Sequence, residues 1–366
     1  RSSALLLSLL AASLSFSDAA TSAPFSYDPE DPNGPQNWHT LPMSNNQCAG
    51  KKNSPIPIES RGCDRYDDYE FKNGDCRYDN MQYSLTNTGV KASFPSDEDA
   101  CDRPTVNIPG IKGTFEALQF HIHTSSEHTI DGEFFGAELH TVHKDLAGDR
   151  FAVVGTLIQP SAAKSNMFFE ELLLGWEYMS DNNNVMCGQP PAAKTHRGLG
   201  NGKNELIFSP YNMLADDVAF YHYDGGLTTP PCSEVVWWNL ADKPVSVTPS
   251  QYARLARMVL RFTNTETCEL GTFAGPAGST SRPPQPLNGR TVERICPVGF
   301  DDGMSMEEEG TATTAATTAA TTATTPATNG STEEESTTED KDDKSGASAM
   351  AVSAGVAAVA AMSFLF

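Results

Sequence analysis

Between residues 25 and 298 the hydrophobic and polar positions alternate in short runs broken by Gly, Asp, Asn and Pro, as in 115–123, 134–143 and 151–159. Period-two alternation of this kind, bounded by turn residues, predicts β-strands. Two stretches change to helical spacing: 167–178, and 249–262, where Ser250 reads as a cap and Tyr252, Leu255, Met258, Val259 and Phe262 fall on one face. The expected fold is therefore mainly β (α+β): a single domain over 25–298, built on a large central, mostly antiparallel twisted sheet with peripheral helices.

The ends follow other rules. Residues 1–19 hold an apolar run from Ala4 to Leu14 and then Ser17-Asp18-Ala19, the small-x-small pattern of a secretory signal peptide. That run is too short to span a bilayer. Residues 301–344 form a Thr/Ala-rich acidic stalk with no means of building a core; ten Thr, seven Ala and one Pro fill 311–328, and Asn329-Gly330-Ser331 is a glycosylation acceptor. Residues 345–366 are small and apolar and read as a GPI-anchor signal, with Ser345, Gly346 and Ala347 as one attachment region, or as a membrane segment. The expected location is the extracellular face of the cell surface, reached through the secretory pathway.

Composition sharpens this picture in two ways. The net charge of −22 divides unevenly, because twelve acidic residues against two lysines put −10 on 301–344. An acidic chain without clustered Lys and Arg is no partner for a phosphate backbone, so nucleic acid is excluded as a ligand. Secretion also changes the reading of the eight cysteines, Cys48, Cys63, Cys76, Cys101, Cys187, Cys232, Cys268 and Cys296. An oxidising compartment favours disulfides over thiolate metal sites, though eight cysteines allow 105 pairings and spacing does not choose among them.

Candidate chemistry concentrates in one place. Five of the eight histidines fall within residues 119–143. In a strand, His121 and His123 point to the same face, and His140 lies in a second run joined to the first by a turn at Asp131-Gly132. Three neutral imidazoles on adjacent strands suit Zn²⁺, leaving a fourth tetrahedral position for water. The spacing is unlike the helical HExxH of zinc proteases. Two histidines alone on a strand are a weak signal. Gln119 and Glu138, each two residues before a candidate ligand on the same face, strengthen it, because a metal-bound histidine donates its other N–H to an oriented acceptor. His128 and His143 read as buried structural histidines.

The stretch Gln119-Phe120-His121-Ile122-His123-Thr124-Ser125-Ser126-Glu127-His128, with Glu138-Leu139-His140, resembles the α-class carbonic anhydrases, and their plant, algal and bacterial branches most of all. The similarity continues in order through Asn33-Gly34-Pro35 with Trp38, Ser54-Pro55-Ile56, Gly225 to Pro231 with Trp238, and Arg282 to Leu287 with Arg290, covering roughly residues 27–297. It implies that His121, His123 and His140 bind zinc, and that zinc-bound hydroxide attacks CO₂ to give bicarbonate and a proton. Thr228 would accept a hydrogen bond from the hydroxide and pass its own proton to Glu127. Thr229 would line a polar wall, and Val142, Val153, Leu227 and Trp238 an apolar one where CO₂ rests. Sulfonamides and anions would inhibit.

The same resemblance implies a Cys48–Cys232 disulfide bracing the Thr228 loop. It places Val90 where fast relatives carry a proton-ferrying histidine; valine cannot carry a proton, which implies turnover more dependent on buffer. Thr280 and Ser281 replace a usual Asn-Trp pair, and Tyr27 resembles a pocket tyrosine. A second reading, from another class, is a surface binding or mineral-associated protein in which the acidic stalk binds cations and the domain serves as scaffold.

Overall fold

The computed structural model describes residues 25–97, 100–189, 208–276 and 278–301. The expected signal peptide, the C-terminal anchor segment and all of the stalk except Asp301 lie outside these residues.

Among the described residues twelve strands form one twisted, mixed sheet. Nine of them run edge to edge: β1 (Arg65–Tyr66), β2 (Gln82–Thr86), β3 (Gly89–Ser93), β4 (Phe115–Thr124), β5 (Ala137–Asp145), β6 (Phe151–Gln159), β7 (Phe220–Gly225), β8 (Val236–Ala241) and β9 (Glu293–Cys296). Their spatial order is β1-β9-β7-β8-β6-β5-β4-β3-β2. Most neighbours are antiparallel; β6 with β8 and β9 with β1 are parallel. The fold is thus the mainly β architecture that the alternation predicts.

The turn between β4 and β5 contains Asp131 at φ 52° and Gly132 at φ 82°. Two successive left-handed residues suit a tight reversal, which is why an Asp-Gly pair occupies it. The segment expected to be a strand over 134–143 begins its ladder only at Ala137.

Helix α1 (Met167–Met186) runs eight residues past the expected end, and α2 (Pro249–Leu260) is capped by Thr248 rather than Ser250. Pro249 takes the first helical position, so the residue before it is the cap: Thr248 Oγ1 accepts the Gln251 N–H at 3.2 Å. The two helices pack on each other, α1 against β2 and α2 against β3. Phe120, Ile122, Val90 and Ala92 fill the core beneath them.

A register shift between Ala117 and Gln119 positions the histidines. Ala117 and His143 are opposed before it, and Gln119 and Val142 after it. One extra residue on a bulged strand reverses which side chains face each side. Consequently Ala117, Phe120 and Ile122 all join the helix-covered core, while Gln119, His121 and His123 turn to the opposite face.

All eight cysteines are paired: Cys48–Cys232, Cys63–Cys296, Cys76–Cys101 and Cys187–Cys268. Four disulfides argue for an oxidising compartment. No helix among the described residues is long and apolar enough to cross a membrane.

Candidate metal centre and active site

Cross-strand register builds the site in rows. His121 is opposite His140, which is opposite Gly155; Gln119 is opposite Val142, which is opposite Val153 and then Trp238. The first row carries imidazoles and the second an apolar strip on the same face, as period-two alternation requires. Gly155 leaves room: a Cβ there would lie 2.9 Å from Leu240 Cδ1 and 3.3 Å from Glu138 Oε1.

Each imidazole has one nitrogen tied down. His121 Nδ1 donates to Gln119 Oε1 at 3.0 Å, His123 Nδ1 to the Thr280 carbonyl at 2.6 Å, and His140 Nε2 to Glu138 Oε1 at 2.8 Å. The remaining nitrogens are left as acceptors, and the three side chains offer ligand atoms all within 4.8 Å of one another. His121 Nε2 and His140 Nδ1 face each other at 3.3 Å, and buried His123 Nε2 has no hydrogen-bond partner. Two lone pairs at that distance repel unless a cation lies between them. A tetrahedral ion such as Zn²⁺, about 2.0–2.1 Å from each of two nitrogens, sets them about 3.3 Å apart, the separation of this His121–His140 pair.

Electrostatics agree with that donor set. Burial, reinforced for His121 by the neighbouring His123 and His140, lowers all three histidines below the ordinary imidazole range. They are neutral near pH 7 and have lone pairs available for a metal. His128, Glu138 and His140 form a second cluster of metal-ligand residue types. Glu138 has no oxygen to spare for an ion there: Oε2 accepts the backbone N–H groups of Glu127 and His128, each at 2.8 Å, and Oε1 accepts His128 Nδ1 at 2.7 Å as well as His140. Burial pushes Glu138 upward, but His128 and His140 outweigh it and hold the carboxylate ionised.

His128 continues the network to Tyr223 Oη at 2.7 Å, which lies 3.0 Å from Ser54 Oγ; that oxygen accepts the Gly226 N–H at 3.2 Å. The loop after β7 is thereby connected to the histidine cluster. It presents Leu227, Thr228 and Thr229, with Thr228 buried and the other two partly exposed. The Cys48–Cys232 disulfide and the bond from Gln47 N–H to the Pro231 carbonyl, 2.8 Å, hold the far side of this loop.

Glu127 is fully buried, with Oε1 accepting the Arg282 N–H at 2.9 Å. Burial raises its pKa to about 7, opposed by His140, the Arg282 N–H and the nearby Thr228 side chain. Its Oε2 lies 3.5 Å from His123 Nε2 and 3.9 Å from His140 Nε2. Val142, Val153 and Trp238 are each about 2 % exposed and, with Leu227, belong to one apolar cluster on the site face. The Trp238 ring stands 4.9 Å from that of His140. Tyr27 is buried against Phe25 and Trp38 with its hydroxyl unpartnered, and burial together with Glu127 raises its pKa. His143, on the opposite sheet face, bonds Tyr211 Oη at 2.7 Å.

One sequence expectation needs correction. Val90 is 1 % exposed within the helix-covered core, so it is not an entrance residue. Strand β3 alternates, and it is Lys91 that stands opposite His121 and Ser93 opposite Gln119. The sequence pattern also gave no sign of what the Arg282 amide and the hydroxyls of Ser125, Thr280 and Ser281 do. Arg282 lies within a family motif, but nothing in the motif says that its backbone N–H serves Glu127.

Known proteins give an independent view. A model of the eukaryotic-type carbonic anhydrase family matches residues 33–296. A carbonic anhydrase from Nostoc sp. is 28 % identical over 265 residues, covering 71 % of this chain and 82 % of its own. Alpha carbonic anhydrase 7 of Arabidopsis thaliana is 27 % identical over 294 residues, covering 80 % and 92 %. A carbonic anhydrase from Chlamydomonas reinhardtii, solved with acetazolamide, superposes with a TM-score of 0.52 at 26 % identity, covering 74 % of this chain and 99 % of its own. With the matched family domain spanning most of its length, this chain belongs to the eukaryotic-type, α-class carbonic anhydrases, the lyases that hydrate CO₂.

Proposed function

We propose that this carbonic anhydrase works with a zinc ion held by His121, His123 and His140, converting CO₂ reversibly to bicarbonate and a proton in the secretory route or outside the cell. The observation that carries the reading is the set of three neutral imidazoles, each bonded outward through one nitrogen, with the others converging. Zinc there supplies Lewis acidity that makes water a nucleophile near neutral pH, chemistry for which carbonic anhydrases are themselves the standard example.

The protein's own groups supply orientation. With Glu127 Oε1 occupied by the Arg282 N–H, the Thr228 hydroxyl would donate a hydrogen bond to Glu127 and turn its lone pairs toward the attacking water. That water, having lost one proton to solvent, would donate its remaining hydrogen to Thr228 and aim a lone pair at carbon. Val142, Val153, Leu227 and Trp238 offer uncharged CO₂ an apolar wall without a desolvation penalty, and Thr229 a polar edge for the bicarbonate that forms. Four disulfides support the oxidising location. Structural relatives solved with sulfanilamide and acetazolamide support sulfonamides as inhibitors of this chain as well.

The test is CO₂ hydration by stopped flow on protein stripped with a chelator and reloaded with zinc. Activity that disappears, returns with one equivalent of zinc and is blocked by acetazolamide supports the proposal. Full activity in the stripped protein, or none after reloading, contradicts it.

A further inference from the structure

The end of strand β4 is stitched to residues 278–281 by side-chain hydroxyls. Thr280 is fully buried; its Oγ1 accepts the Thr124 N–H at 3.1 Å and its own N–H donates to the Thr124 carbonyl at 2.7 Å. Thr124 Oγ1 donates to the Gly278 carbonyl at 2.9 Å. Ser281 Oγ donates to the Ser125 carbonyl at 2.7 Å and lies 3.1 Å from Ser125 Oγ. A segment without regular secondary structure is thereby fixed to the strand immediately beyond His123.

Two backbone groups of this segment serve the site. The Thr280 carbonyl takes the His123 Nδ1–H at 2.6 Å, and the Arg282 N–H reaches Glu127 Oε1 at 2.9 Å. They are two residues apart, so a displacement of the segment moves both. We propose that the hydroxyl clasp of Thr124, Ser125, Thr280 and Ser281 is a positioning device that fixes the metal ligand His123 and the acceptor Glu127 together. Thr280 and Ser281 are positioning residues: they reach the chemistry through the backbone they hold. The inference rests on the zinc reading above, and deepens it by assigning two residues that take the place of the usual Asn-Trp pair.

The experiment compares Thr280→Val, Ser281→Ala and Thr280→Ser with the wild-type protein. Zinc affinity is read by chelator competition, folding by thermal denaturation of the metal-free protein, and the His123 Nδ1 proton by NMR of that same form. Thr280→Val is expected to weaken zinc about 10- to 100-fold, the range for lost partners of metal ligands, and to lose the protected His123 Nδ1 proton. Ser281→Ala shifts affinity in the same direction by less, and Thr280→Ser restores most of it. Once saturated with zinc, Thr280→Val also shows a lower kcat, because Glu127 is displaced too. If Thr280→Val folds with wild-type zinc affinity and an intact Nδ1 proton signal, the clasp is only structural and the inference fails; if it does not fold, unchanged affinity and proton signal in Ser281→Ala overturn the inference equally. A wild-type protein that binds no zinc overturns the zinc reading instead, and the NMR signal, which needs no metal, then decides the clasp alone.

Discussion

His140 donates its Nε2–H to Glu138 Oε1 at 2.8 Å, so the nitrogen it turns toward His121 is Nδ1, opposite to the choice made by His121 and His123. Glu138 fixes this tautomer while accepting three further N–H groups. Glu138→Gln replaces one acceptor oxygen with a donor among four donors. Zinc affinity by chelator competition is expected to fall about 10- to 100-fold; unchanged affinity would mean that the carboxylate does not orient His140.

Thr228 and Glu127 are assigned to orientation, not to metal binding. Thr228→Val removes the hydroxyl and keeps the branched shape. The expected result is a fall of about 100-fold or more in kcat/KM, the scale for losing one oriented hydrogen bond at the reacting centre, with one zinc per chain retained. A variant that loses its zinc instead would place Thr228 in site assembly.

Val90 tests the strand alternation. Its side chain lies in the core with Phe120 and Ile122. Val90→His puts an imidazole there without a hydrogen-bond partner, at a cost of about 2–4 kcal/mol from polar burial and overpacking. The thermal midpoint should drop, and kcat at low buffer should not rise. A stable variant with faster low-buffer turnover would show that position 90 faces the entrance.

His143 carries a pH signature of its own. Burial holds it near 4, below the 6.5 of a free histidine. The folded protein keeps it neutral while the unfolded chain takes up a proton, so its contribution is present above pH 6.5 and is lost as pH falls toward 4. Denaturant titrations should show the wild-type protein losing about 2 kcal/mol more than His143→Gln between pH 7 and pH 5. Parallel losses would mean that His143 titrates normally.

Much of the site was legible in the chain because period-two alternation brings His121, His123, Gln119 and, one strand away, His140 and Glu138 to one face. The bulge between Ala117 and Gln119 was not legible: apolar residues occupy both faces of β4, so the pattern does not show where the parity changes. Val90 was misplaced because similarity along the chain gives a position but not a facing; the ladder to Ile122 settles that. The clasp was hidden for another reason. Ser125 and Ser281 are ordinary loop residues in sequence, 156 positions apart, and acquire meaning only when their segments meet. Six of the eight cysteines likewise had no partners until the fold brought them together.

Three histidines holding one zinc, on which CO₂ hydration depends, are the centre of the proposed mechanism. They are tested most directly by zinc content and stopped-flow CO₂ hydration measured together on the wild-type protein and on His121→Ala. The expected result is one zinc per chain and acetazolamide-sensitive hydration in the wild-type protein, with both falling to near background in a variant that remains folded. A His121→Ala protein that hydrates CO₂ at the wild-type rate would contradict the mechanism.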